Sequence, residues 1–194
     1  FTSGAEFFLR PQTGKNITPT DSMIVRQTSF GCQQKGMPRP FDGGTLYIQK
    51  NGKNIRDYVF ASTTELFDSN NTSLESAHLI DNPVDTATAS TLPDRTEQLY
   101  FLVNTDGTMC VYSSQKEQKI FGWTQWNTDG NYLSICCLSS SIYVLTSRTI
   151  DGSTVYSLEQ FATTQFDIPT DMSFTKTISA SYQPHGTVKN KGAV

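Results

Sequence analysis

Histidine is almost missing from this chain, with His78 and His185 alone among 194 residues. A Ser-His-Asp or Cys-His arrangement therefore has little material to draw on. Cysteine is scarce too: Cys32, Cys110, Cys136 and Cys137 contain no CxxC pair, so a cysteine zinc site is not expected. No apolar run approaches the roughly 20 residues that a membrane-spanning helix needs. Lys and Arg form no basic tract and the formal charge is -3, which disfavours sequence-independent gripping of phosphates. Neither a GxxxxGKS/T nor a GxGxxG phosphate loop is present. Phe1 to Arg10 has neither the basic start nor the long apolar stretch of a signal peptide, and the chain reads as a piece of a longer polypeptide.

What is present is strand. Segments rich in Val, Ile, Tyr, Phe or Thr and bounded by Gly, Asp, Asn or Ser run through Ala5 to Arg10, Met23 to Phe30, Thr45 to Lys50 and Ile55 to Phe60. They continue through Gln98 to Asn104, Met109 to Ser113, Ile120 to Trp126, Tyr132 to Leu138, Ile142 to Arg148 and Thr154 to Phe161, with Val84 to Thr91 a weaker candidate. One short helix is expected over Leu74 to Leu79, capped by Thr72-Ser73, with Leu74 and His78 on one face and Glu75 in the first turn. Neighbouring strand residues point to opposite faces, so Cys136 and Cys137 read as one inward and one outward side chain. Four thiols rather than a disulfide framework fit a reducing cytoplasm.

A hairpin recurs three times. Leu46-Tyr47-Ile48 precedes Asn51-Gly52, Leu99-Tyr100-Phe101 precedes Asp106-Gly107, and Ile142-Tyr143-Val144 precedes Asp151-Gly152. From tyrosine to turn there are four, six and eight positions, increments of two that predict a common buried face. The tyrosines lie 53 and then 43 residues apart, and the latter spacing falls in the range of propeller blades. The expectation is an all-β fold of propeller-like blades, each a four-stranded antiparallel meander with the Tyr hairpin as its outer half. Blades are expected over residues 1–164, at about 1–60, 80–114 and 118–161, with a helical insertion at 72–79. Residues 165–194 read as the start of a further strand set or an exposed tail. A sandwich of two sheets is the architectural alternative.

No catalytic or metal-binding constellation emerges, no cofactor is implied, and binding residues are not identified. Asp42, Asn51, Asp106, Asp129 and Asp151 stand at glycine turns, where turn formation explains them better than paired-carboxylate catalysis. Asp81, Asp85 and Asp94 lack the alternating spacing of a calcium loop. His78 reads as packing beside Leu74 and Leu79, and His185 as exposed. Asn16-Ile17-Thr18 and Asn70-Asn71-Thr72 match glycosylation sequons, which arise readily in a Ser/Thr-rich chain. Trp123 and Trp126, three apart in one strand, face opposite sides, one of them toward solvent or a partner.

An ordered set of short segments carries a resemblance. Leu46 to Gly52, Ile55-Arg56-Asp57-Tyr58, Ala77-His78-Leu79, Asp106-Gly107, Gly122-Trp123-Thr124, Thr128-Asp129-Gly130, Ser134-Ile135, Arg148 to Gly152 and Leu158-Glu159 occur in that order. The succession resembles the tail nozzle or tail tubular structural proteins of short-tailed bacteriophages. The resemblance implies a non-enzymatic virion protein, assembled in the host cytoplasm into a ring of identical subunits below the portal and adaptor. It implies contact with those proteins and with tail fibres, no membrane, and transient passage of DNA through the ring. A net negative charge suits conduction of DNA rather than its capture. The alternative is a receptor- or carbohydrate-binding β domain of a phage tail or cell surface, which predicts Trp126 or Tyr132 exposed in a concave patch.

Overall fold

Alternating β-branched, aromatic and polar residues yield an all-β molecule, described in a computed structural model over residues 1–12, 16–90 and 97–161 and the backbone strand 174–176. Every pairing is antiparallel, and each four-stranded sheet is built from strands consecutive in sequence. A two-stranded sheet comes first, from β1 (Glu6–Arg10) and β2 (Met23–Thr28). The first meander holds β3 (Arg39–Phe41), β4 (Gly44–Ile48), β5 (Ile55–Ala61) and β6 (Leu66–Asn71). The middle one holds β7 (Asp85–Ala89), β8 (Gln98–Val103), β9 (Met109–Gln115) and β10 (Ile120–Trp126). The third holds β11 (Asn131–Leu138), β12 (Ser141–Ile150), β13 (Ser153–Phe161) and β14 (Phe174–Lys176). Two compact units result, Phe1–Pro83 and Val84–Val194.

The Asx-Gly dipeptides set the turns. Asp42-Gly43 and Asp151-Gly152 are both at positive φ and close two-residue hairpins between Phe41 and Gly44 and between Ile150 and Ser153. That is the type I′ geometry whose twist matches the flanking strands. Asn51 and Asp106 fold their side chains back, their Oδ1 atoms accepting the Lys53 amide at 3.1 Å and the Thr108 amide at 2.9 Å.

The repeat is present, but its frame differs from the sequence expectation. In all three meanders the Tyr triplet lies on the second strand, so the hairpin is the middle of the sheet and not its outer half. Ile120 to Trp126 closes the middle meander by pairing with β9 instead of opening the third. The short 127–130 connection imitates a hairpin, yet the Tyr132 amide donates to the Gly107 carbonyl and Arg148 Nη1 to the Asp129 carbonyl, which turns the chain onto a new sheet. Phe174–Lys176, in the stretch expected to begin a further strand set, instead pairs with β13 as the fourth strand of the third meander. Residues His185 to Val194 and Asp94 lie outside the described residues. Among the described residues, the strands at Ala5 to Arg10 and Met23 to Phe30 form a two-stranded sheet of their own. They pack on the first meander through a Phe8–Phe67 ring contact at 4.7 Å and the Phe67 amide donating to Gln27 Oε1.

No helix spans Leu74 to Leu79. A single 3₁₀ turn covers Ala77–Leu79, and Leu74 and His78 are both exposed. The expected cap is used elsewhere: Ser73 Oγ accepts the Ile55 amide at 2.9 Å, and Thr72 Oγ1 donates to the Ile55 carbonyl at 3.1 Å. With its cap tied to the start of β5, the segment has no N-terminal anchor for a longer helix.

Burial follows the sheets. In the middle meander Leu99, Tyr100, Phe101, Leu102 and Val103 are all buried, so that sheet is covered on both faces. One face, with Ala87, Ala89, Leu99, Phe101, Val103, Met109 and Val111, joins Tyr132, Ile135, Ile142, Val144 and Phe161 of the third meander in one core. The third triplet is thus out of phase. If the triplets were equivalent in successively stacked sheets, Tyr143 would meet the middle sheet, but Ile142 and Val144 do so instead. A one-residue shift moves every side chain to the other face, and Tyr143 is left on the outer one.

Candidate functional site

Each residue considered as a ligand or catalyst has a definite place. Trp123 and Trp126 face opposite sides of β10, as alternation requires, but both are half-buried. Trp123 stacks on Tyr112 at 4.9 Å, and Trp126 stands edge-on to Phe101 at 5.9 Å and Phe161 at 5.6 Å. Tyr132 is buried in the same core as Trp126. Trp126 is half-buried and Tyr132 is buried, so neither ring stands out as the exposed platform that the carbohydrate-binding alternative expects. Asp81 is ion-paired with Lys53, which together with its hydrogen bond holds its carboxyl below the usual range. The Asp85 carboxylate accepts from its neighbour's amide at Thr86, from Ser134 Oγ and from the Ile135 amide, tying β7 to β11. Among the described residues, no three His, Cys, Asp or Glu side chains assemble into a group able to hold a metal ion. All four cysteines are thiols; Cys136 is exposed, and burial pushes Cys110 up to about 11.

A groove of about 290 Å³ lies where the β8–β9 turn meets the start of β11, lined by Val84, Asn104, Thr105, Asp106, Asn131 and Tyr132 among others. It offers two amides, two hydroxyls and one carboxylate. Asp106 Oδ1 is already engaged by the amide and hydroxyl of Thr108, at 2.9 and 2.7 Å. Such a lining suits the seating of polar chain or solvent rather than proton transfer, since it contains no paired acid and base.

One buried cluster escaped sequence reasoning. Glu6, fully buried in β1, accepts from Thr28 Oγ1 and from the Phe30 amide at 3.2 Å through Oε2, while Oε1 and the nearby Tyr58 hydroxyl have no partner. Around it, burial raises the Tyr47 phenol, pushes Tyr58 up to about 12 and raises the Cys32 thiol. Burial also lowers Arg56, whose guanidinium donates to Gln49 and the Ser69 carbonyl and lies 3.2 Å from the centre of the Phe30 ring. The Phe1 ring packs on Tyr47 and Tyr58 at 4.8 and 5.3 Å. The cluster pins the first ten residues to the first meander; its hydroxyls and thiol stay protonated at neutral pH and supply no nucleophile. The only sequence signal was one acid inside the aromatic run Glu6-Phe7-Phe8-Leu9.

In comparison with known proteins, the chain matches no family model and no curated protein.

Proposed function

We propose that this chain is a structural, non-enzymatic component of a short-tailed phage tail, part of a nozzle or tubular ring through which DNA leaves the particle. The observation that carries the proposal is three successive four-stranded antiparallel meanders in chain order, each with its Tyr triplet on the second strand. Within the second unit β11 lies alongside β7, so the first strands of two consecutive meanders adjoin, and Asp85 bonds them together. Sheets stacked with their first strands adjoining are how propeller blades surround an axis. In the middle sheet the consecutive residues Leu99 to Val103 are all buried, as in a strand of a stacked sheet. The ordered segments that resemble nozzle proteins supply the virion context, and the -3 charge suits a lumen that DNA slides through. Protein mass spectrometry of purified tails, after removal of heads and free protein, tests this. Recovery of these peptides in stoichiometric amount with the portal supports it, and tails that lack them refute it.

A further inference from the structure

We infer that the strand pair β1–β2 is a strap that opens as a unit from the aromatic face of the first meander while the meander itself stays folded. The pair forms its own sheet, with no ladder to the four strands of that meander among the described residues. An isolated strand pair is marginal in water, so closure depends on what its side chains touch. Phe8 packs on Phe67 at 4.7 Å, Gln27 Oε1 accepts the Phe67 amide at 2.8 Å, and the Phe1 ring covers Tyr47 and Tyr58. On the opposite side Phe7, Leu9 and Ile24 stay 40%, 46% and 70% exposed, so they contribute little to closure. The chain is tied down again just beyond the pair: the Lys50 amide donates to the Gly31 carbonyl and the Gln33 amide to the Ile48 carbonyl, both at 2.9 Å. The pivot therefore falls at Ser29-Phe30.

Within the buried cluster the rings pin the strap, and Glu6 works against them. Its carboxylate is fully buried; Oε2 accepts from Thr28 Oγ1 and the Phe30 amide, while Oε1 has no partner. Thr28 belongs to β2 and Phe30 to the pivot, so neither bond fastens the strap to the meander. Arg56 donates instead to Gln49 Oε1 and the Ser69 carbonyl, and the Tyr47 hydroxyl is bonded to Ser69 Oγ at 2.7 Å. Opening thus returns Oε1 to water and keeps both bonds of Oε2. A buried carboxylate with an unpartnered oxygen carries a desolvation cost that opening removes. Closure is the difference between ring burial and that cost, which puts the strap among the elements that open before the whole unit unfolds. Opening also breaks the bond from the Cys32 amide to the Thr2 carbonyl and uncovers the cluster in which Cys32 packs with Tyr47 and Tyr58.

Hydrogen–deuterium exchange of the full chain, read peptide by peptide, tests the strap, with alkylation of the Cys32 thiol as a second readout. The amides bonded between β1 and β2 are expected to exchange at least about a hundredfold faster than those bonded between β4 and β5. Phe8→Ala should speed strap exchange and Cys32 alkylation together by about tenfold or more, leaving β4 and β5 unchanged. Glu6→Gln keeps an acceptor for Thr28 and Phe30 but removes the charge, and should slow both by about tenfold. Strap amides as well protected as those of β4 and β5 overturn the inference. So does a Glu6→Gln variant whose strap is looser or whose first unit unfolds, because the carboxylate would then be holding the strap closed. Acceleration of β4 and β5 equal to that of the strap in Phe8→Ala overturns it as well, since the strap would then open only with the whole unit.

Discussion

Replacing Ile142 by Ala should cost the second unit far more than replacing Leu158 by Ala, although both changes shorten an aliphatic side chain in adjacent strands. Ile142 is 3% exposed in the core shared by the middle and third meanders, among Leu99, Phe101 and Phe161. Truncating a buried Ile loses its transfer energy and leaves a cavity, about 3 kcal/mol here within the usual range of 2–5. Leu158 is 61% exposed, so most of its surface is in water already, and its truncation should cost roughly 0.5–1 kcal/mol. For a unit of this size about 3 kcal/mol lowers the melting temperature by roughly 12–24 °C. The two tryptophans, Trp123 and Trp126, both lie in the second unit, so urea unfolding followed by tryptophan fluorescence reports that unit alone. Equal losses for the two variants, or a larger loss for Leu158→Ala, would refute the assignment of Ile142 and Val144 to the inward face.

Glu159→Gln should destabilise the second unit by about 3 kcal/mol, because it leaves Arg148 buried without its anionic partner; Arg148→Met together with Glu159→Leu should recover most of that loss in chemical denaturation. Gly130→Ala should cost more than about 2 kcal/mol, since φ is +136 and a Cβ would overlap the Ser147 carbonyl oxygen. Gly152→Ala, at φ +77 with open space around it, should cost only about 1 kcal/mol by thermal melting. Burial raises Cys110 from the ordinary 9.0 to about 11 and Tyr58 from 10.0 to about 12. The folded chain therefore keeps protons that the unfolded chain releases. The resulting stability is present below about pH 9 and is lost as pH rises toward 11 and 12, measurable as a falling urea midpoint. A midpoint that holds level through that window would contradict the burial of these groups.

The sequence was informative wherever local chemistry decides. Asp42-Gly43 and Asp151-Gly152 specify two-residue hairpins through their positive φ, and runs such as Leu99 to Val103 declare a doubly covered strand before any fold is known. It misled where a strand is defined only by its neighbour. β3 is Arg39-Pro40-Phe41, three residues with a proline, and β6 reads Leu66-Phe67-Asp68-Ser69-Asn70-Asn71; neither carries an apolar run, so the first meander went unframed. The connection at 127–130 has the length of a hairpin and the hydrogen bonds of a crossover, and only the partners of Tyr132 and Arg148 distinguish the two. The phase of the third triplet was hidden for a related reason. Counting in twos preserves a face along one strand but says nothing about which face meets the neighbouring sheet. Glu6 was invisible because one acid in a strand is ordinarily exposed, and its burial depends on Thr28 and Phe30, more than 20 positions away.

Electron cryomicroscopy of the intact particle tests the central proposal most directly. Density for the meanders of this chain, repeated as a closed ring on the path of the DNA, is the expected result. A tail whose channel is fully accounted for by other polypeptides, with this fold found nowhere in it, would contradict the proposal.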